Sequence, residues 1–130
     1  MSTVYARRSG DKRAYPVAAA VILVASAPVF LSAGLAVPFA AADGNSKFAG
    51  IATFDTDNSR GLAGERKAEV EHQEFALLNN GDILYTHIGA TVYFTSDTAV
   101  SVSSATNSRP IAGVVTELDD DIVWVQPAVA

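Results

Sequence analysis

The chain has 130 residues, no cysteine and a formal net charge of −5. That length suits one domain with a sizeable core. The missing cysteines exclude disulfides, thiol nucleophiles and cysteine-based zinc sites.

The charge is unevenly placed from the start. Residues 1–14 carry Arg7, Arg8, Lys12 and Arg13 against Asp11, whereas the remaining chain carries five bases against thirteen acids. A basic segment ahead of an acidic body suggests an arm that docks on something acidic. A solvated terminus is the plainer alternative. The acidic body argues against nucleic acid as the main partner.

Residues 17–42 contain no charge. The run is long enough for a transmembrane helix, since about 20 apolar residues span a bilayer. A basic start, an apolar run and the small residues of Phe39-Ala40-Ala41-Ala42 also fit a signal peptide or anchor over residues 1–42. Pro28, Pro38 and Gly34 weigh against a helix, because proline removes a helical hydrogen bond and glycine weakens a helix. Val21-Ile22-Leu23-Val24 and Val29-Phe30-Leu31 are bulky runs of strand length. The favoured expectation is therefore buried strands, with Ser32-Ala33-Gly34 as a turn and Leu35-Ala36-Val37 resuming the chain.

Asp43-Gly44-Asn45 is turn chemistry. The segment after it is repeated. Ala49-Gly50-Ile51-Ala52-Thr53 returns as Ala112-Gly113-Val114-Val115-Thr116, each preceded by Asn-Ser and a base and followed by acids. Each copy reads as a central strand. Glycine inside a strand marks a bulge or a close backbone approach. The shared glycine suggests related positions in one small barrel, with Ile51 and Val114 buried. Two short apolar strands can also agree by chance.

Residues 55–64 read as a loop. Residues 66–73 alternate, with Lys67, Glu69, Glu71 and Gln73 on one face and Ala68, Val70 and His72 on the other. That is a half-buried antiparallel strand. Residues 75–78 are apolar, residues 79–82 form a loop, and residues 83–88 fit a short helix or a strand. Thr91-Val92-Tyr93-Phe94-Thr95 and residues 99–103 are further strands. Asp119-Asp120-Asp121 is a turn into a closing strand that holds Trp124. Many short strands between polar turns indicate an all-β sandwich or barrel.

Candidate catalytic groups are sparse. Asp55-Thr56-Asp57-Asn58-Ser59 begins like a calcium loop, but Arg60 and Arg66 stand where such a loop needs Gly and Glu. The carboxylates of residues 119–121 alternate faces and cannot all converge. His72 reads as a packed residue, and His87 has no evident partner. No nucleophile elbow, phosphate loop or metal-spaced histidine pair occurs. Neither an enzyme activity nor a cofactor is expected.

In layout the chain resembles the head decoration, or cement, proteins of tailed bacteriophages. The resemblance spans about residues 7–125. It rests on a basic arm running into Tyr15-Pro16-Val17-Ala18-Ala19-Ala20, then Leu31-Ser32-Ala33-Gly34-Leu35-Ala36-Val37-Pro38, Phe48-Ala49-Gly50-Ile51-Ala52, Ile111-Ala112-Gly113-Val114-Val115 and an acidic turn. The hydrophobic segment over residues 21–31 departs from the family. The resemblance implies an all-β, small β-barrel or β-tulip-like body over residues 15–130, behind an extended arm over residues 1–14. It implies a structural virion protein on the outer capsid surface that stabilises the head by bridging neighbouring major capsid subunits, as a homotrimer. Its partner is then the major capsid protein, with no nucleic acid, membrane or cofactor. The expected capsid-binding arm comprises Tyr5, Arg7, Arg8, Lys12, Arg13 and Tyr15. The alternative is a secreted or membrane-anchored β-domain led by residues 1–42.

Overall fold

Alternation in the sequence becomes twelve short strands in a computed structural model, which describes residues 11–129. The first seven are β1 (Lys12–Pro16), β2 (Ile22–Leu23), β3 (Pro28–Ser32), β4 (Leu35–Pro38), β5 (Lys47–Ala52), β6 (Thr56–Asp57) and β7 (Lys67–Glu71). The other five are β8 (Phe75–Asn79), β9 (Thr91–Phe94), β10 (Ala99–Ser101), β11 (Ile111–Asp119) and β12 (Ile122–Pro127). Among the described residues the protein is nearly all β, with 48% in strands, and contains a closed five-stranded barrel.

That barrel runs β8-β12-β11-β9-β10, and β10 returns to β8 in parallel. The first half repeats the same order as β1-β7-β5-β3-β4. Its ring closes through a single parallel bridge between Val17 and Ala36. The loop hydrogen bonds match as well. The Val17 N–H donates to the Arg66 carbonyl at 2.9 Å, as Asn79 does to Asp121 at 2.8 Å. Ala18 donates to Ala36 at 3.1 Å, as Asn80 does to Val100 at 2.9 Å. Ala52 donates to Ala27 and Val115 to Ala90, both at 3.0 Å. The molecule is thus built from two equivalent rings, side by side, with β5 and β11 parallel where they meet.

The repeated strand sits at matching places in the two rings. Opposite β3, Val29 pairs with Gly50 and Phe30 with Phe48, so Ala49 is an extra residue. Opposite β9, Val92 pairs with Gly113 and Tyr93 with Ile111, so Ala112 is the extra residue. Each bulge is followed by a glycine with φ near +144°. A Cβ on Gly50 would lie 2.2 Å from the Glu71 carbonyl oxygen, and one on Gly113 would lie 1.8 Å from that of Gln126. Only glycine allows this backbone angle and this approach.

The bulge also overturns one expectation. The sequence pattern places Ile51 and Val114 inside, yet Ile51 is half-buried and Val114 is 40% exposed. Ala49-Gly50 and Ala112-Gly113 both turn inward in succession, which shifts the phase of the residues after them. Ala52 and Val115 take the buried places instead.

The stretch read as a loop over residues 55–64 contains the short strand β6, which pairs with β2, while other parts of the pattern reading match the fold. Ala68 and Val70 point inward from β7, while its charged residues face outward. Ala33 and Gly34 both have positive φ, as a two-residue hairpin turn requires. Residues 17–42 form β2, β3, β4 and a short 3₁₀ turn. Among the described residues no helix is long and apolar enough to cross a membrane. One core fills the first ring with Val17, Leu23, Val29, Ala36, Ala52, Ala68 and Val70. A larger one fills the second ring and also takes in Phe30, Val37 and Phe48 from the first.

Gly50→Ala and Gly113→Ala are each expected to cost about 3 kcal/mol or more, through backbone strain and overlap. Gly64 has φ of +83° but open space around it, so Gly64→Ala is expected to cost only about 1 kcal/mol. Urea unfolding of the three variants checks the ranking.

Candidate interaction surface

The basic segment runs directly into the sheet. Lys12, Arg13 and Tyr15 lie on β1, which pairs with β7 so that Lys12 faces Glu71, Ala14 faces Glu69 and Pro16 faces Lys67. The boundary drawn after Ala14 therefore falls inside a strand. Tyr5, Arg7 and Arg8 lie outside the described residues. Among the described residues β7 is the only strand paired along Lys12–Pro16, and β4 reaches the other edge only at the Val17–Ala36 bridge, so on that side Lys12–Ala14 have no strand partner among the described residues. Such an edge accepts an added strand.

The side chains of β1 divide by role. Lys12 is exposed, and its Nζ lies 3.8 Å from the Glu69 carboxylate. An exposed pair of that kind contributes about 0–1 kcal/mol. Tyr15 is half-buried and packs against the core of the first ring, so it anchors the strand to its own body. Arg13 buries Nη1 without a hydrogen-bond partner among the described residues.

The polar groups weighed as chemical sites are occupied locally. His87 accepts the Leu84 N–H on Nδ1 at 2.8 Å and so closes its own turn. The His72 ring meets the Val129 carbonyl through Nε2 and ties β7 to the chain end. The buried Ser101 hydroxyl donates to Asp82 at 2.5 Å, pinning the loop after β8 onto β10. Asp119, Asp120 and Asp121 are all exposed. Among the described residues no three His, Cys, Asp or Glu side chains are placed to hold a metal ion.

The acidic loop after β5 is likewise a set of backbone caps. Asp55 accepts the Ala25 N–H at 2.8 Å, and Asp57 accepts the Ser59 N–H at 2.9 Å. Hydrogen bonds from the Ser59 side chain and backbone, with a smaller contribution from Arg66, hold the Asp57 carboxyl below its ordinary range. Asn58 is buried, and its side-chain amide donates to the Ala18 carbonyl at 2.9 Å and to that of Leu62 at 3.1 Å. It fastens this loop across the first ring.

Sequence reasoning missed a second kind of surface. Ile22, Val24 and Phe54 stand exposed on the first ring, and Leu84, Tyr85 and Ile88 on the second. Tyr85 is the most open of these after Leu62, at 70%. In the sequence they look like core residues. The only cue is that Phe54 and Ile88 adjoin the turn residues Asp55 and Gly89, and that Leu84 and Tyr85 sit in a stretch without strict alternation.

No protein-family model, curated protein or solved structure matches the chain.

Asp57→Asn keeps an oxygen acceptor but removes the charge. A depressed carboxyl pKa stabilises the fold above the unfolded value and loses that effect as pH falls through the folded value. Wild type is therefore expected to exceed Asp57→Asn in thermal midpoint at pH 7, with the gap closing as pH falls below about 3.8. Thermal unfolding across that range checks it.

Proposed function

We propose that this protein is a structural component of a tailed-phage virion, decorating the outer capsid surface and bridging neighbouring major capsid subunits. The observation that carries the proposal is the edge of β1 over Lys12–Ala14, which has no strand partner among the described residues, on a strand that continues directly from the basic segment. A capsid subunit adding backbone along that edge and the preceding residues would gain hydrogen bonds in register, with the side chains setting specificity. The two-ring body supports this role, with Asp55, Asp57, Asn58, Asp82 and His87 serving as caps and ties within the fold. The layout that resembles cement proteins points the same way, and a homotrimer on the head is part of the proposal.

Charge alone is too weak to hold the arm. Ordering a free segment costs roughly 1–2 kcal/mol per residue in backbone entropy, and exposed ion pairs return about 0–1 kcal/mol each. Backbone pairing has to supply the difference. Tyr5, Arg7 and Arg8 then add one aromatic anchor and two charges ahead of Lys12 and Arg13.

Because β1 begins at Lys12, the informative truncation removes residues 2–10 and spares every described strand. It is expected to leave a folded, soluble body that no longer co-sediments with heads of the parent virus. Replacing Arg7 and Arg8 by Gln is expected to weaken binding and flatten its salt dependence without abolishing it. Full-strength binding by the truncated protein would remove the arm from the mechanism.

A further inference from the structure

We infer that a groove between the two rings holds residues 3–8 of the same chain until a capsid subunit takes them up. The consequence for head binding rests on the bridging reading, whereas the docking itself does not.

The groove has a volume of about 440 Å³ and mostly apolar walls. Pro28 and Ile51 line it from the first ring, and Phe75, Leu77, Leu78 and Ile122 from the second. Leu78 is 48% exposed there. Pockets of about 300–1,000 Å³ take up small ligands, so this one has room for a tyrosine side chain. One edge of the groove also offers backbone. The Leu78 N–H donates to Thr98 on the β10 side, whereas the Asn79 N–H donates to Asp121 on the β12 side. By that alternation the Ala76 N–H and carbonyl point to the β10 side. β10 pairs with β8 only at Leu78 and Asn79, so Ala76 has no strand partner there among the described residues.

The chain ahead of β1 leads to this groove. The His72 N–H donates to the Asp11 carbonyl at 2.5 Å. The segment before Asp11 therefore leaves beside the link from β7 to β8, which enters the groove at Phe75. Across the sheet, Lys12 pairs with Glu71 and Glu71 with Ile51. Two strand spacings, about 10 Å, separate Lys12 from the Ile51 wall. Directly paired residues share one face, so Lys12 and the groove lie on the same face of the first ring. Residues 3–10 lie outside the described residues, and at up to about 3.3–3.6 Å per residue they can span more than that distance.

Charge and area select the occupant. Asp97 is the only charged residue in the lining. Glu71 is level with Ile51, Glu74 precedes Phe75 and Asp121 precedes Ile122, so the rim is acidic. The arm carries the complement, with Val4, Tyr5 and Ala6 followed by Arg7 and Arg8. A second copy would bring a body in which thirteen acids outnumber five bases over residues 15–130, opposing the rim. A separate protein needs about 20–30 residues a side for a stable interface, and ten line this groove. A tethered segment needs less, because linkage makes its docking intramolecular at high effective concentration.

The chain has no cysteine, so paired cysteines report where the arm lies. Full-length Tyr5→Cys with Thr98→Cys, at the groove, is compared with Tyr5→Cys with Thr106→Cys, on the exposed loop after β10. Both are oxidised at low concentration in the absence of heads. The groove pair is expected to close within one chain at least about 10-fold faster. Adding Leu78→Asp, or Leu78→Ser if aspartate lowers the thermal midpoint, is expected to erase the difference. Equal rates for the two pairs overturn the inference and leave the bridging reading intact. Binding to heads of the parent virus is then measured with the groove disulfide closed and again after reduction. The closed form is expected to bind at least about 10-fold more weakly, with full recovery on reduction. Full-strength binding by the closed form overturns the holding role. Wild type that fails to bind heads overturns the bridging reading, and the closure rates still decide the docking.

Discussion

The fold depends on one cluster of phenylalanines packed between the rings. Phe94 of the second ring lies edge-on to Phe30 and Phe48 of the first, each with ring centroids 5.0 Å away. Phe48 in turn meets Phe75 at 5.7 Å, and Phe30 meets Phe39 at 6.1 Å. Aromatic pairs at such spacing contribute about 0.5–1.5 kcal/mol each beyond the area they bury. The need for them comes from size. A ring of about 60 residues buries only about 60% of its unfolded surface and is marginal alone. Phe30 and Phe48 complete the core of the neighbouring ring, so the two rings stand as one body. The parallel contact of β5 and β11 fixes how they meet.

Much of this architecture is written in local pattern. The β3–β4 hairpin follows from Ala33-Gly34 between two apolar runs, and β7 follows from the alternation through Glu69 and Glu71. The repeat of Ala-Gly marked two related strands. The duplication of whole rings was hidden, because matching strands share only their inward positions. Lys67-Ala68-Glu69-Val70-Glu71 corresponds to Ile122-Val123-Trp124-Val125-Gln126, with Ala68 and Val70 matched by Val123 and Val125. The outward residues of these strands diverged freely, as solvent-facing positions can. The phase error at Val114 has a definite cause too. A bulge adds one residue, and period-two reasoning then assigns every later side chain to the wrong face.

The surfaces were less legible than the fold. Composition located the basic segment, of which Lys12 and Arg13 lie on β1. Tyr15 is spent on the body's own core, which no sequence pattern distinguished from an exposed anchor. The exposed apolar residues Ile22, Phe54, Leu84 and Tyr85 were invisible for a related reason. Hydrophobicity marks what is able to be buried, and it does not say whether the burial occurs within one chain or against another.

On the reading proposed above, the two-ring body holds other subunits in place through β1 and the residues before it. Imaging purified virions at a resolution that traces the chain tests this most directly. The account predicts the two-ring body on the outer surface of the head, seated across the boundary between two major capsid subunits. Virions in which that surface lacks this chain, or carries it wholly within one subunit, would contradict it.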